Sequence, residues 1–535
     1  MSLFSKARPT RRDVLKQSGV LSAAAVAAPL SAHAATLADD QPARTGLSLS
    51  PGTPQDNIFT KLGVRPIVNA HGTFTIITGS RSLPEVKQAM YEASFYFVHL
   101  DELMDKVGAD IAQMLGAPGC TVTTGCEAAI ALATVACSCG TNVEWSQAFP
   151  YKRLKSQVII PKHSRNPYDF GVRMTGAEIV EVDSAEEFQA KLTDKVAMVY
   201  VLASPAAEKG PLSVANICQM ARAKNVPVFV DAAAEEPLVP NKYIQAGANL
   251  VGYSGGKCMR GPQAAGLLLG DKELTKAAWF QASPHHNYGR AYKVGKEEIM
   301  GIRAAVQQWG KRDHAAEQKM WMSWLKTIEA RLKPLQSTTF EYLEPEDLSN
   351  RSPRLRVHRD ANVLKITGTE LTAKLDAGNP RVMLDGGTGI RPENMASSLT
   401  VMPYMMSPGE EKIVADAIFA ALSHPDAYSN PVIAPGASKV EGKWHVAIQY
   451  LRGKGEQEFE LKQSGSDLSG TQKGELFNAT LKGSIHGNDI KLRSTMPVSG
   501  HQLDWNFKGT VAGDTASGSV DLGEYGKASW QARKA

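Results

Sequence analysis

The chain has 535 residues, too many for one ordinary domain, and its 43% hydrophobic and 21% charged content excludes a globally disordered polypeptide. Its formal net charge is +5, but Lys6, Arg8, Arg11, Arg12 and Lys16 against Asp13 give +4 within residues 1–34, leaving about +1 for the rest. So neutral a body excludes nucleic acid as the main partner.

Taken in chain order, the first element is an address. Thr10-Arg11-Arg12-Asp13-Val14-Leu15-Lys16 is a twin-arginine pattern, followed by an apolar stretch from Gly19 to Leu30 and the small-x-small site Ala32-His33-Ala34. The three parts in this order predict a signal peptide over 1–34, export of the folded protein by the twin-arginine machinery, a mature start near Ala35 and a periplasmic location. The apolar part is too short and alanine-rich for a membrane span, and no later segment is apolar for long enough to be one. Residues 35–57 read as a mobile leader.

From 58 onward helical and strand-like patterns alternate. Leu83 to Leu115 reads as helices and Gly125 to Cys137 as a buried alanine-rich helix. Val158–Ile160, Ile179–Val180, Met198–Leu202, Val228–Val230 and Leu250–Val251 read as parallel strands buried on both faces. This predicts an α/β doubly wound large domain over 58–325, with ligands at the carboxyl ends of its strands. A long helix between Glu297 and Leu332 leads to a smaller α+β lobe over 326–430.

The chemistry clusters in the large domain. In Thr123-Thr-Gly-Cys-Glu-Ala-Ala129 a glycine turn opens a helix, whose free N–H groups suit a phosphate; this singles out Gly125, Cys126 and Glu127. His163 follows a strand, where an aromatic ring can stack on a flat ligand; a surface histidine has the same setting. Arg165 and Arg173 suit either anionic substrate groups or a solvated helix.

Asp231 ends the apolar run Val226-Pro-Val-Phe-Val230, and Lys257 lies in Tyr253-Ser-Gly-Gly-Lys-Cys-Met-Arg-Gly-Pro262. A lysine among small residues, downstream of a strand-end acid, is the pair that pyridoxal 5'-phosphate (PLP) requires. The amine holds the aldehyde as a Schiff base, and the acid keeps the ring nitrogen protonated so that the ring accepts electrons. Ser254 adds a hydroxyl to the phosphate cup. Arg290, in Arg290-Ala-Tyr-Lys-Val-Gly-Lys296, suits either a substrate clamp or an exposed charged turn, and Arg381, in Gly378-Asn-Pro-Arg381, is a candidate substrate clamp. The six cysteines lie mostly in apolar or glycine-rich runs without zinc-site spacing, which predicts buried thiols and no metal.

The composition changes near Gly442. Trp444, Val446, Ile448 and Tyr450 alternate along one strand. Leu481-Lys-Gly-Ser-Ile-His-Gly-Asn488 is echoed by Phe507-Lys-Gly-Thr-Val-Ala-Gly-Asp514, with hairpin-type turns. About eight short strands over 440–535 predict an antiparallel β-barrel or sandwich. It resembles a lipocalin-like module and serves either binding or docking, or as a structural cap or spacer.

Val68-Asn-Ala-His-Gly-Thr73, Thr78-Gly-Ser80, Thr124-Gly-Cys126, Val230-Asp-Ala-Ala-Ala-Glu-Glu-Pro237, Ser254-Gly-Gly-Lys257 and Gly261-Pro262 stand out together, with Arg290 to Lys296 and Gly378 to Arg381. Over about residues 60–425 they resemble the selenocysteine-synthase-like branch of fold-type-I PLP enzymes. That branch holds seryl-tRNA selenium transferase and D-glucosaminate-6-phosphate ammonia-lyase-like proteins. The resemblance implies an aspartate-aminotransferase-like fold and at least a homodimer. It also implies Lys257 as the Schiff-base lysine, Asp231 as the pyridinium partner and His163 as the stacked residue. The export signal and neutral body speak against tRNA. The expected activity is α,β-elimination, of ammonia-lyase type, on an amino acid or amino sugar acid. A PLP-dependent transferase or racemase, and a non-catalytic periplasmic binding protein, are the alternatives.

Overall fold

The computed structural model describes residues 57–391, 394–423, 428–430 and 438–535. The twin-arginine segment, its cleavage site and nearly all of the leader lie outside them.

The first strand, β1 (Ile67–Ala70), precedes a seven-stranded sheet made of β2 (Gly119–Thr123), β3 (Gln157–Pro161), β4 (Glu178–Val182), β5 (Val196–Leu202), β6 (Val228–Asp231), β7 (Leu250–Ser254) and β8 (Gly266–Gly270). Their spatial order is β2-β8-β7-β6-β5-β3-β4. β3 to β7 pair in parallel, and β8 runs antiparallel to both β2 and β7. The five apolar runs thus become the parallel strands. β2, Gly-Cys-Thr-Val-Thr, has no comparable apolar run, and β8 holds one, Leu267–Leu269 between two glycines, that the sequence pattern leaves unassigned. β4 is an edge strand and only partly buried, unlike β5, whose first six residues are all buried. Each aliphatic side chain sealed in β5 contributes about 1.5–3 kcal/mol relative to exposure.

The Gly125–Cys139 helix packs across this sheet with all but three of its residues buried. Its alanines allow that close approach. The long helix expected between Glu297 and Leu332 is two helices, Lys296–Trp309 and His314–Leu332, broken where Gly310 and the Asp313 cap interrupt the pattern.

The small lobe holds an antiparallel sheet ordered β12-β10-β9, from β9 (Thr338–Leu343), β10 (Arg354–Asp360) and β12 (Ala396–Val401). β11 (Arg381–Leu384) pairs in parallel with β1. The segment 58–325 therefore does not stay in one lobe: its first strand crosses over to join residues near 381. A two-stranded parallel pairing across more than 300 residues leaves no local signal to read.

Eight strands, β13 (Gly442–Gln449) to β20 (Lys527–Lys534), close into an antiparallel barrel around Trp444, Phe459, Phe507 and Trp530. The two echoed Gly-Asn and Gly-Asp pairs are hairpin turns, with Gly487 and Gly513 in the left-handed region at φ 58° and 62°. Among the described residues no helix is long and apolar enough to cross a membrane.

All six cysteines are free, five of them buried and Cys137 partly so. Burial pushes the Cys137 and Cys258 thiols up to about 12. At pH 8 such a thiol is only ~10⁻⁴ thiolate. An aromatic disulfide reagent should therefore titrate the native protein slowly and release six thiol equivalents only after denaturation. Two or more fast equivalents would contradict this burial.

Candidate active site

The site forms where the sheet strands end. β6 terminates in Asp231, which is 2% exposed. Its register partner on β5 is Leu202, so Tyr200 lies diagonal to it on the same face. The Tyr200 hydroxyl donates to Asp231 Oδ2 at 2.7 Å, the Ala233 N–H to Oδ1 at 3.1 Å, and the Cys126 thiol to Oδ1 at 3.5 Å. Asn166 Nδ2 in turn donates to the Tyr200 oxygen at 3.0 Å. Asp231 forms no ion pair with a described residue. Burial, reinforced by the Asp231 charge, pushes both Tyr200 and Cys126 well above their ordinary pKa, so both remain protonated donors.

β2 delivers the second part. It ends at Thr123, and Gly125, at φ 81°, turns directly into the buried helix. No side chain caps that helix, and the Thr124 hydroxyl is buried without a partner. The first-turn N–H groups thus have no acceptor within the helix. The turn lies so close over β8 that a Cβ on Gly266 would come within 2.8 Å of the Cys126 nitrogen.

β7 delivers the third part. Ser254 ends it and Lys257 follows two glycines; the Gly255 N–H donates to Ala265 O at 2.8 Å, folding the loop back. Lys257 Nζ lies 5.8 Å from the centre of the Tyr168 ring.

These parts surround one cavity of about 230 Å³. Its walls include Gly125, Cys126, Glu127, Asp231, Ser254 and Lys257, all expected from the sequence, joined by Thr124, Tyr168 and Gln263. Glu127 is raised above the usual carboxylate range by burial and by Asp231. The donor set fits PLP on three counts. An amine is present for the aldehyde, an uncapped helix start with an orphan hydroxyl suits the phosphate, and a buried carboxylate paired with no described cation suits a protonated ring nitrogen.

The other expected residues lie elsewhere. His163 is not in the cavity wall; its ring nitrogens face Leu212 O at 3.3 Å and the Ser164 hydroxyl at 3.1 Å. Tyr168, five residues on, is the aromatic residue that lines the cavity. Arg165 and Arg173 both pair with the buried Asp169, at 2.6 and 3.0 Å. Arg290 is exposed and donates to Ser283, and Arg381 pairs with Asp376 at 2.8 Å; neither lines the cavity in this chain. In the small lobe Arg359 is 5% exposed, its guanidinium has no acceptor among the described residues, and burial lowers its pKa to about 10. Sequence reasoning passes over Tyr200, Asn166 and Tyr168. A phenol inside an otherwise aliphatic strand is the one available signal.

With this geometry in hand, the comparisons with known proteins become specific. The model of the Cys/Met metabolism PLP-dependent enzyme family matches residues 79–359. That is more than half of the chain, and the protein belongs to this family of PLP-dependent enzymes. It is 28% identical over 333 residues to D-glucosaminate-6-phosphate ammonia lyase of Salmonella typhimurium, covering 60% of this chain and 87% of that one. It is also 28% identical over 373 residues to 5'-C-glycyluridine monooxygenase-decarboxylase of a Streptomyces species, covering 66% and 90%. A solved D-glucosaminate-6-phosphate ammonia-lyase structure superposes with a TM-score of 0.61 at 25% identity, over 69% of this chain and 99% of that one. The match places the catalytic body in fold type I.

Tyr200→Phe would leave the Asn166 amide and one Asp231 oxygen without their buried partner. Stability measured by chemical denaturation should fall by about 1–3 kcal/mol. A loss under about 0.5 kcal/mol would show that the network is not a structural element.

Proposed function

We propose that the protein is an exported PLP-dependent lyase that carries out α,β-elimination on an amino acid or amino sugar acid, releasing ammonia and a keto acid. The observation that carries the reading is one cavity holding Lys257, the buried Asp231, which pairs with no cation among the described residues, and the uncapped Gly125 helix. The printed activity of the Salmonella relative supports the ammonia-lyase outcome. The twin-arginine segment supports export to the periplasm after folding. A homodimer is supported by the exposed run Tyr96-Phe97-Val98, at 69%, 104% and 50% exposure, an apolar patch that a second copy would cover.

Bound PLP supplies an aldehyde for an amine and a ring that accepts the electron pair left when the α-proton departs. Lys257 Nζ is the group that would hold it and, once displaced by the substrate amine, take the α-proton. Asp231 would hold a proton at the ring nitrogen, and the Tyr200 hydroxyl and Ala233 N–H keep its carboxylate in place. The N–H groups of Gly125, Cys126 and Glu127, with the Thr124 and Ser254 hydroxyls, would bind the phosphate. Tyr168 closes the wall beside Lys257. Arg290 and Arg381 would serve as substrate clamps only after moving or after contribution from a second subunit.

A second reading is favoured by the Streptomyces relative, equally identical but with a different printed activity. Product analysis separates the outcomes. Ammonia with a keto acid means elimination, inverted substrate means racemisation, and a pyridoxamine form means amino transfer. Borohydride reduction and peptide mapping should place the B6 label on Lys257. Lys257→Ala should lose that label and slow ammonia release roughly 10²–10⁴-fold or more, the range for a positioned proton-transfer group. Asp231→Ala should keep the label but slow turnover at least ~100-fold. A label elsewhere, or unchanged turnover in Asp231→Ala, would remove the assignment.

A further inference from the structure

The barrel does not hang free of the catalytic body. Between β17 (Asp489–Val498) and β18 (His501–Ala512) the hairpin turn is Ser499–Gly500. Arg165 Nη2 donates to the Ser499 hydroxyl at 2.5 Å, while its Nε pairs with the fully buried Asp169. Gly500, at φ 84°, lies against the same loop: a Cβ there would come 2.5 Å from the Asn166 carbonyl oxygen and 2.9 Å from Asp169 Oδ2. The turn therefore needs glycine twice, for its backbone angle and for the close approach.

The loop it touches is not a neutral surface. The Asn166 side chain accepts from the Tyr168 N–H at 2.8 Å and donates to Tyr200, whose hydroxyl donates to Asp231. Tyr168 lines the cofactor cavity. A barrel residue thus lies against a carbonyl whose own side chain holds both a cavity wall and the proton donor behind the site's buried acid.

We propose that the barrel is a built-in part of the cofactor site: the Ser499–Gly500 turn clamps the Arg165–Asp169 loop and thereby sets Tyr168 and the Asn166–Tyr200 pair. Ser499 and Gly500 are positioning residues. This rests on the assignment of the cavity to PLP. A neighbouring barrel turn adds its charge to the field at this loop. Burial, Asp231 and Glu127 raise the Tyr168 phenol, and Glu524, in the turn Gly523–Tyr525, contributes in the same direction.

The test uses full-length protein and a matched pair of turn variants. Asparagine tolerates the left-handed backbone, so Gly500→Asn preserves the hairpin but drives a side chain into Asn166. Gly513→Asn makes the same change in the turn between β18 and β19 (Thr515–Asp521), at φ 62° with nothing within 4 Å. Gly500→Asn should weaken PLP binding about tenfold, the cost of forcing a packed contact apart. It should also move the pH midpoint of the bound-cofactor absorption band, with the barrel's near-ultraviolet circular dichroism unchanged. Gly513→Asn should match the unaltered protein in every measurement, and Ser499→Ala should weaken PLP binding less than Gly500→Asn. Unaltered affinity and pH midpoint in Gly500→Asn, or equal losses in both glycine variants, would overturn the proposal. Unaltered protein that takes no borohydride label at Lys257 would overturn it together with the cofactor assignment.

Discussion

Removing a carboxylate from water costs several kcal/mol, and Asp231 meets that cost without an ion pair to any described residue. Three donors face it: the Tyr200 hydroxyl, the Ala233 N–H and the Cys126 thiol. Each comes from a different part of the large domain, so the strand order β7-β6-β5 and the packing of the Gly125–Cys139 helix are both conditions for this one site. Because no lysine or arginine among the described residues pairs with it, the charge stays available to a cationic ring nitrogen, which is the electronic demand PLP makes of its protein.

The remaining geometry is mostly backbone. Gly125 takes a left-handed backbone at φ 81°, beneath it at Gly266 no room exists for a side chain, and the helix start is left uncapped. An uncapped N-terminus forgoes about 1 kcal/mol of helix stability and is tolerable where a phosphate supplies the missing acceptors. The same device recurs at Gly500, where the absence of a Cβ lets the barrel press on the Asn166 carbonyl. The support around Asp231 therefore extends through Tyr200 and Asn166 to a domain joined to the chain more than 200 residues later.

Much of this is legible in the amino-acid order. The β-branched runs at β3, β5, β6 and β7 announce their period and burial, and Asp231 and Lys257 each follow a strand, the acid at its last residue and the amine after two glycines, which is the local setting a flat, phosphorylated ring needs. The barrel's alternation and its two echoed turns likewise carry a local signal. β2 does not, since a short strand of glycine, cysteine, threonine and valine owes its place to neighbours rather than to hydrophobic period. His163 and Tyr168 are five residues apart in one loop, and only the path of that loop decides which of them reaches the cavity.

What the chain determined alone is the set of local identities: which runs are strands, where a glycine must turn the backbone, and which amine and which acid stand at or just past strand ends. These follow from period, sterics and side-chain type, all short-range properties. The tertiary structure decided everything that depends on distance between remote residues. It paired β1 with β11, placed Tyr200 and Asn166 behind Asp231, left Arg290 and Arg381 away from the cavity, and brought Gly500 against Asn166. Such contacts are selected by the packing of the whole chain, and no window of neighbouring residues contains them.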